Sequence, residues 1–245
     1  MLSKNEIKLI TSLKQKKYRQ QHQLFVVEGK KTICELLQSN LQLQQLYTTM
    51  LEFDVSDGLV AQISNNELKK ISFLKTPNIA LAIFKIPKGL PIDFSNLIVA
   101  LDDVRDPGNL GTIIRLCDWF GVKDLLCSLE TVDCYNPKVV QATMGSITRV
   151  NISYINLEDV LSEHKSNNVF GAFMDGLNIY NTSLPNSGII VLGNEANGIS
   201  KPIEKLVSQR IAIPRFGELQ VTESLNVANA TGILLSEFKR RSTEM

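Results

Sequence analysis

Two spacings of apolar residues alternate along the chain. Short β-branched runs recur at LFVVEG (24–29), LQQLYTT (43–49), LVAQIS (59–64) and IALAIFKI (79–86). Between them lie segments with apolar residues at helical spacing. In KKTICELLQSN (30–40) these are Ile33, Leu36 and Leu37, and NNELKKISFL (65–74) follows the same rule. A basic, helical-looking segment precedes the first strand. Together these elements predict a small α/β domain over residues 1–90. The stretch PKGLPIDFSN (87–96), with Pro87, Gly89 and Pro91, reads as a linker.

From residue 97 the alternation is more regular. Strands are expected at LIVAL (97–101), VKDLLCS (122–128), VNISYI (150–155), VFGAFMD (169–175), GIIVLGNE (188–195) and RIAIP (210–214). Helices are expected from the first loop to about Phe120, then over 136–146, 157–167, 203–209 and 224–241. Apolar strands alternating with helices predict a mostly parallel sheet covered on both faces, in a second domain spanning 97–245.

Three loops rich in Gly, Asn or Pro fall at the carboxyl ends of these strands, the edge where open α/β sheets bind ligands. The first, DPGNLGTIIR (106–115), places Asn109 at a helix start and Arg115 six residues on. Capping accounts for such an Asn, and a surface salt bridge for such an Arg. The second, LGNEANGIS (192–200), sets Glu195 between Gly193 and Gly198, with Gly193 expected to let backbone approach a ligand. The third, 213–233, begins Ile213-Pro214 and leads through Ser224, Leu225 and Asn226 into a helix with a small-residue face of Ala228, Ala230 and Gly232.

The 44% hydrophobic and 21% charged composition is that of an ordinary globular protein. No run approaches the ~18 apolar residues of a membrane span, and the charged start MLSKNEIKLI has no signal-peptide core. Four cysteines without a C-x-x-C pair, and only His22 and His164, predict buried free thiols in a reducing, cytoplasmic setting. They predict no metal site and no Ser–His or Cys–His nucleophile. Neither a P-loop nor a G-x-G-x-x-G fingerprint is present. The net charge of +1 conceals a segregation, +5 over residues 1–95 and −4 over the remainder. The positive excess concentrates in Lys4, Lys8, Lys14, Lys16, Lys17 and Arg19.

Taken together, P-G-N-x-G-x-x-x-R (107–115), G-x-E-x-x-G (193–198) and I-P … S-L-N-V (213–227) resemble the three motifs of the SpoU (TrmH-like) RNA methyltransferases of the SPOUT superfamily, in the family's order. The resemblance covers about 97–241, and F-V-V-E-G followed by a helix looks like the small substrate-binding domain that many members carry. It implies an α/β fold: a C-terminal, trefoil-knotted SPOUT domain with a mostly parallel sheet, preceded by a small α/β substrate-binding domain. It implies S-adenosylmethionine as cofactor, a homodimer formed through the knotted domain, and methylation of a ribose 2′-hydroxyl in ribosomal or transfer RNA.

Motif by motif, Asn109, Arg115, Glu195, Ser224 and Asn226 fall on catalytic positions. Leu192, Gly193, Ile213, Leu225 and Asn226 fall on cofactor contacts. RNA is expected to meet Lys14, Lys16, Lys17, Arg19 and Arg115. Asn109 is expected to hold the ribose or Arg115, and Glu195 to fix Arg115 or Asn226. Two features depart from the family pattern: the longer GELQVTE insertion (217–223), and Asn229 where a small apolar residue is usual. The alternative reading is a non-catalytic SpoU-like RNA-binding or ribosome-assembly factor. A base-methylating enzyme is disfavoured by the third motif.

Overall fold

The computed structural model describes residues 1–164, 168–217, 219 and 224–242. Most of the GELQVTE insertion and the end of the predicted 157–167 helix lie outside the described residues. The chain divides into two compact units. One comprises Met1–Lys88 with Asp133–Thr148, and the other Gly89–Val132 with Arg149–Met245.

The first unit opens with α1 (Lys4–Ser12), held by a capping box between Ser3 and Glu6, and α2 (Lys16–His22). Then follow β1 (Leu24–Glu28), α3 (Lys30–Leu37), β2 (Leu43–Thr48), β3 (Val60–Gln62), α4 (Asn65–Ile71) and β4 (Ala80–Lys85). Gly29, at φ 93°, turns the chain from β1 into α3. The strands form one sheet in the order β1-β4-β2-β3, with β4 antiparallel to both neighbours and β2 parallel to β3. Its core gathers Ile10, Leu13, Val26, Leu68, Ile71, Leu81 and Ile83.

The second unit contains β5 (Leu97–Leu101), α5 (Pro107–Trp119) and β6 (Asp124–Cys127). The chain then supplies α6 (Pro137–Thr143) to the first unit, where it packs on β1. It continues through β7 (Asn151–Tyr154), α7 (Leu157–Glu163), β8 (Val169–Asn178), β9 (Gly188–Leu192), α8 (Lys201–Glu204), β10 (Gln209–Ala212) and α9 (Val227–Ser242). The helix expected over 203–209 begins earlier, because Pro202 suits the first turn, and ends at Glu204.

The sheet runs β10-β8-β9-β5-β6-β7, with every pairing parallel. Period-two alternation sends Ile98, Ala100, Val169, Ile189 and Val191 toward Leu157, Leu161 and Ile203 on α7 and α8. Phe170 faces the other way and meets Phe238 of α9 edge to face, ring centroids 5.1 Å apart. The small-residue face of α9 serves packing on α5: Ala228 is buried, and a Cβ on Gly232 would lie 3.4 Å from Leu116. Among the described residues, no helix is long and apolar enough to cross a membrane. Cys117, Cys127 and Cys134 are buried free thiols, and burial pushes the Cys117 thiol up to about 12.

Candidate active site

Because β5 and β9 are neighbours, the loops that leave their carboxyl ends emerge side by side, and Asp102 N–H donates to the Leu192 carbonyl across the gap (2.9 Å). The loop after β9 folds tightly on itself. Asn194 and Gly198 exchange two backbone hydrogen bonds, with Gly198 at φ 69°. A Cβ on Gly193 would stand 2.1 Å from Gly198 C and Ile199 N. Glycine is therefore required at 193 by the loop's own backbone, whereas the sequence assigned the requirement to a ligand.

This fold aims Glu195 at the start of α5. Its carboxylate accepts from the Asn109 amide (2.9 Å) and from the backbone N–H groups of Asp106 (3.2 Å) and Arg105 (3.3 Å). Burial pushes its pKa up. The hydrogen bonds from Asn109 and from backbone N–H groups outweigh that and hold it below the ordinary 4.5. Asn109 is not the N-cap of α5. Asp106 caps it, accepting from Asn109 N–H at 2.8 Å, which leaves the Asn109 side chain free for other partners.

Asn109 Oδ1 in turn accepts from the Asn226 amide (2.8 Å), while Asn226 Oδ1 caps α9 by accepting from Ala228 N–H (2.9 Å) and Asn229 N–H (3.2 Å). One continuous chain, Asn226–Asn109–Glu195, thus joins all three motif loops. The charged end fixes which way both amides point. Glu195 reaches Asn226 only through Asn109, and it makes no bond to Arg115. Nor does Asn109 hold Arg115. That arginine lies exposed on α5, and among the described residues its guanidinium has no hydrogen bond or ion pair.

Behind the chain lies a cavity of about 1160 Å³. Leu192, Gly193, Ile213, Leu225 and Asn226 all line it, as do Glu195 and Ser224. Some of its residues escaped sequence reasoning. The register of β8 against β10 jumps, so that Arg210 pairs with Gly171 but Ile211 pairs with Leu177. The intervening excursion brings Ala172, Phe173 and Met174 to the cavity wall. It closes on β10 so tightly that a Cβ on Gly176 would sit 2.5 Å from Ile211 backbone. The pair of strand glycines, Gly171 and Gly176, is the signal that marks such a bulge. Asp103 and Asn194 were also missed. Asp103, at φ 60°, ion-pairs with Arg105 (2.7 Å), and its carbonyl accepts from the Asn194 amide (2.7 Å), bracing both loops. Among the described residues, no group of His, Cys, Asp and Glu is arranged to hold a metal ion.

Residues 96–236 match the SpoU rRNA Methylase family model. The chain belongs to this family. Residues 4–82 match the MRM3-like substrate binding domain. A chain from Porphyromonas gingivalis, described as of the TrmH family of RNA methyltransferases, is 38% identical to this SpoU member with a TM-score of 0.90, covering 98% of this chain and 99% of its own. An AdoMet-bound rRNA methyltransferase from Sinorhizobium meliloti is 29% identical with a TM-score of 0.86, covering 98% and 96%. The 23S rRNA (guanosine(2553)-2′-O)-methyltransferase RlmP of Bacillus subtilis is 26% identical over 91% of this chain and 92% of its own length.

Of the expected catalytic residues, Glu195, Ser224 and Asn226 line one cavity, and Asn109 joins them through its hydrogen bonds to Glu195 and Asn226. Arg19, expected to meet RNA, does not belong with them or on the surface. Its side chain is 2% exposed, paired with Asp133 (Nη2 at 2.5 Å, Nε at 2.9 Å) and bonded to the carbonyls of Leu13 (2.8 Å) and Lys14 (2.9 Å). A basic residue beside three lysines looks like part of a cationic face. Here the helix turn points it inward, onto a carboxylate far along the chain. Lys14, Lys16 and Lys17 are exposed.

Proposed function

We propose that this chain is an S-adenosylmethionine-dependent RNA methyltransferase acting on a ribose 2′-hydroxyl of ribosomal RNA. The observation that carries this reading is the Asn226–Asn109–Glu195 chain, which ties the three motif loops to one cavity. The cavity fits the cofactor's chemistry. Leu192, Ile213, Leu225 and Leu234 offer apolar surface for a nucleoside base, and the ionised Glu195 at the wall complements a sulfonium cation.

The cofactor, when bound, supplies an electrophilic methyl group. The chain's own residues supply position and charge. The Arg115 guanidinium is a hydrogen-bond donor and no base. Exposed and without a protein partner among the described residues, it is available to grip the RNA phosphate next to the target and to orient the 2′-hydroxyl. The hydroxyl proton leaves to a phosphate oxygen or to solvent. Asn109, held at both amide atoms, fixes the start of α5 and hence the direction of Arg115. The Ser224 hydroxyl, with no side-chain hydrogen bond among the described residues, faces the cavity and can meet either reactant.

Lys14, Lys16 and Lys17 add attraction for RNA backbone. The protein works as a cytoplasmic homodimer through a knotted C-terminal domain, as its family does. Trp119, 83% exposed at the end of α5, supports a covered surface there. Calorimetric titration with S-adenosylmethionine, followed by mass spectrometry of digested ribosomal RNA after incubation, tests the proposal. A 2′-O-methylated nucleoside is the expected product. Absence of cofactor binding would overturn the enzymatic reading.

A further inference from the structure

α1 and α2 meet at a corner over Leu13–Gln15, and the corner is locked from beneath. Arg19, buried and ion-paired, donates to the carbonyls of both Leu13 and Lys14. In the angle between the helices lies a notch of about 500 Å³. Asn5, Lys8, Gln15, Tyr18 and His22 line it. Asn5, Gln15, Tyr18 and His22 make no side-chain hydrogen bond to any described residue. All four line this one small space. The half-buried Tyr18 ring forms part of the wall, with the Lys17 ammonium 5.9 Å from its centroid. From Ile7 to Val27 the chain carries no acidic residue.

We infer that this notch binds one unpaired nucleotide of single-stranded RNA, its base stacked on Tyr18 and its phosphate near Lys8. Four features point to this ligand. An aromatic face offers a stacking platform for any base. Amide groups at the rim suit a base edge, since Asn and Gln each present both a donor and an acceptor. Lysines attract phosphate, and the one acid of α1, Glu6, is held at the helix start by its capping box with Ser3. The locked corner means the notch exists before anything binds, so little ordering cost opposes binding. A continuous duplex does not fit, because its bases are stacked out of reach of a pocket this small. The inference rests on the RNA-methyltransferase reading above, in which this chain must hold RNA away from the reacting ribose.

The test uses the full chain and an oligouridylate carrying 4-thiouridine, with binding read by fluorescence anisotropy and the photo-cross-link mapped by mass spectrometry. The cross-link is expected on the peptide containing Tyr18 or His22. Tyr18→Ala should weaken binding at least about fivefold with an unchanged salt slope, while Tyr18→Phe keeps wild-type affinity. Lys8→Ala should make the log–log salt slope shallower by about 0.7. Thermal and urea unfolding at the wild-type midpoints show that Tyr18→Ala is folded.

Cross-links confined to other peptides, Tyr18→Phe as weak as Tyr18→Ala, or equal competition by a duplex of the same length would each overturn the notch. The two readings fail separately. A wild-type protein that methylates no RNA but still cross-links at Tyr18 would sink the enzymatic proposal and leave the notch standing. Normal methylation with no cross-link there would do the reverse.

Discussion

Arg19→Ala separates a structural arginine from an RNA-binding one. The side chain is 2% exposed, and its guanidinium serves three acceptors: the Asp133 carboxylate and the carbonyls of Leu13 and Lys14. Truncation leaves Asp133, itself only 14% exposed, without its counter-charge, and leaves two carbonyls without donors. Removing one partner of a buried pair costs about 3–5 kcal/mol. The four lost charge-assisted bonds, at about 1.5 kcal/mol apiece, sum to roughly 6 kcal/mol, just above the top of that range. For a chain of this size that corresponds to a fall in Tm of roughly 10 °C. Thermal and urea unfolding measure the loss. Arg19→Lys should recover only part of it, because one ammonium cannot reproduce the planar fork. The salt dependence of RNA binding, taken well below the new Tm, should keep the wild-type slope, since Arg19 neutralises no phosphate. A loss under about 1 kcal/mol, together with a slope shallower by about 0.7, would refute the reasoning and return Arg19 to the RNA surface.

Arg115→Ala should abolish methyl transfer while leaving S-adenosylmethionine binding near wild type by calorimetry, because the side chain does not line the cavity. Gly193→Ala should cost about 3 kcal/mol in chemical denaturation and reduce cofactor binding, since its Cβ would overlap Gly198 backbone and force the loop open. Glu195 has a depressed folded pKa, so its contribution is complete above the ordinary value of about 4.5 and disappears as pH falls through the lower folded value. Carboxyl NMR should show Glu195 titrating below ordinary glutamates, with the Asn109 side-chain amide shifting in the same step. Replacing Lys14, Lys16 and Lys17 together by Ala should flatten the salt slope of RNA binding by about 2, with unfolding unchanged.

The strands and most helices were legible because period-two and 3.6-residue patterns report burial directly, as at LIVAL over Leu97–Leu101 and at Ile33, Leu36 and Leu37. The motif loops were legible because Asn109, Glu195 and Asn226 stand at element ends. Their joining was not, since the hydrogen bonds span 86 and 117 residues of sequence. Asn109 looked like a cap because a capping residue has the same chemistry, and only the position of Asp106 three residues earlier removes that role. Arg19 was misplaced for the same reason. Charge is visible in a sequence, whereas the remote carboxylate that claims it is not. The excursion of Ala172–Gly176 escaped because VFGAFMD alternates as a plain strand, with only its glycines dissenting.

The helix α6 and the carboxylate of Asp133 reach the N-terminal unit from the middle of the chain, between β6 and β7. The substrate-binding unit is therefore not a detachable cassette. Exchanging the first ninety residues for those of a relative would strand Arg19's counter-ion in the recipient and leave α6 facing a foreign β1. Such chimaeras should misfold unless the swap also carries residues 133–148. Changes of RNA preference in this lineage are then expected to accumulate by surface substitution on an inherited scaffold, not by recombination of whole domains.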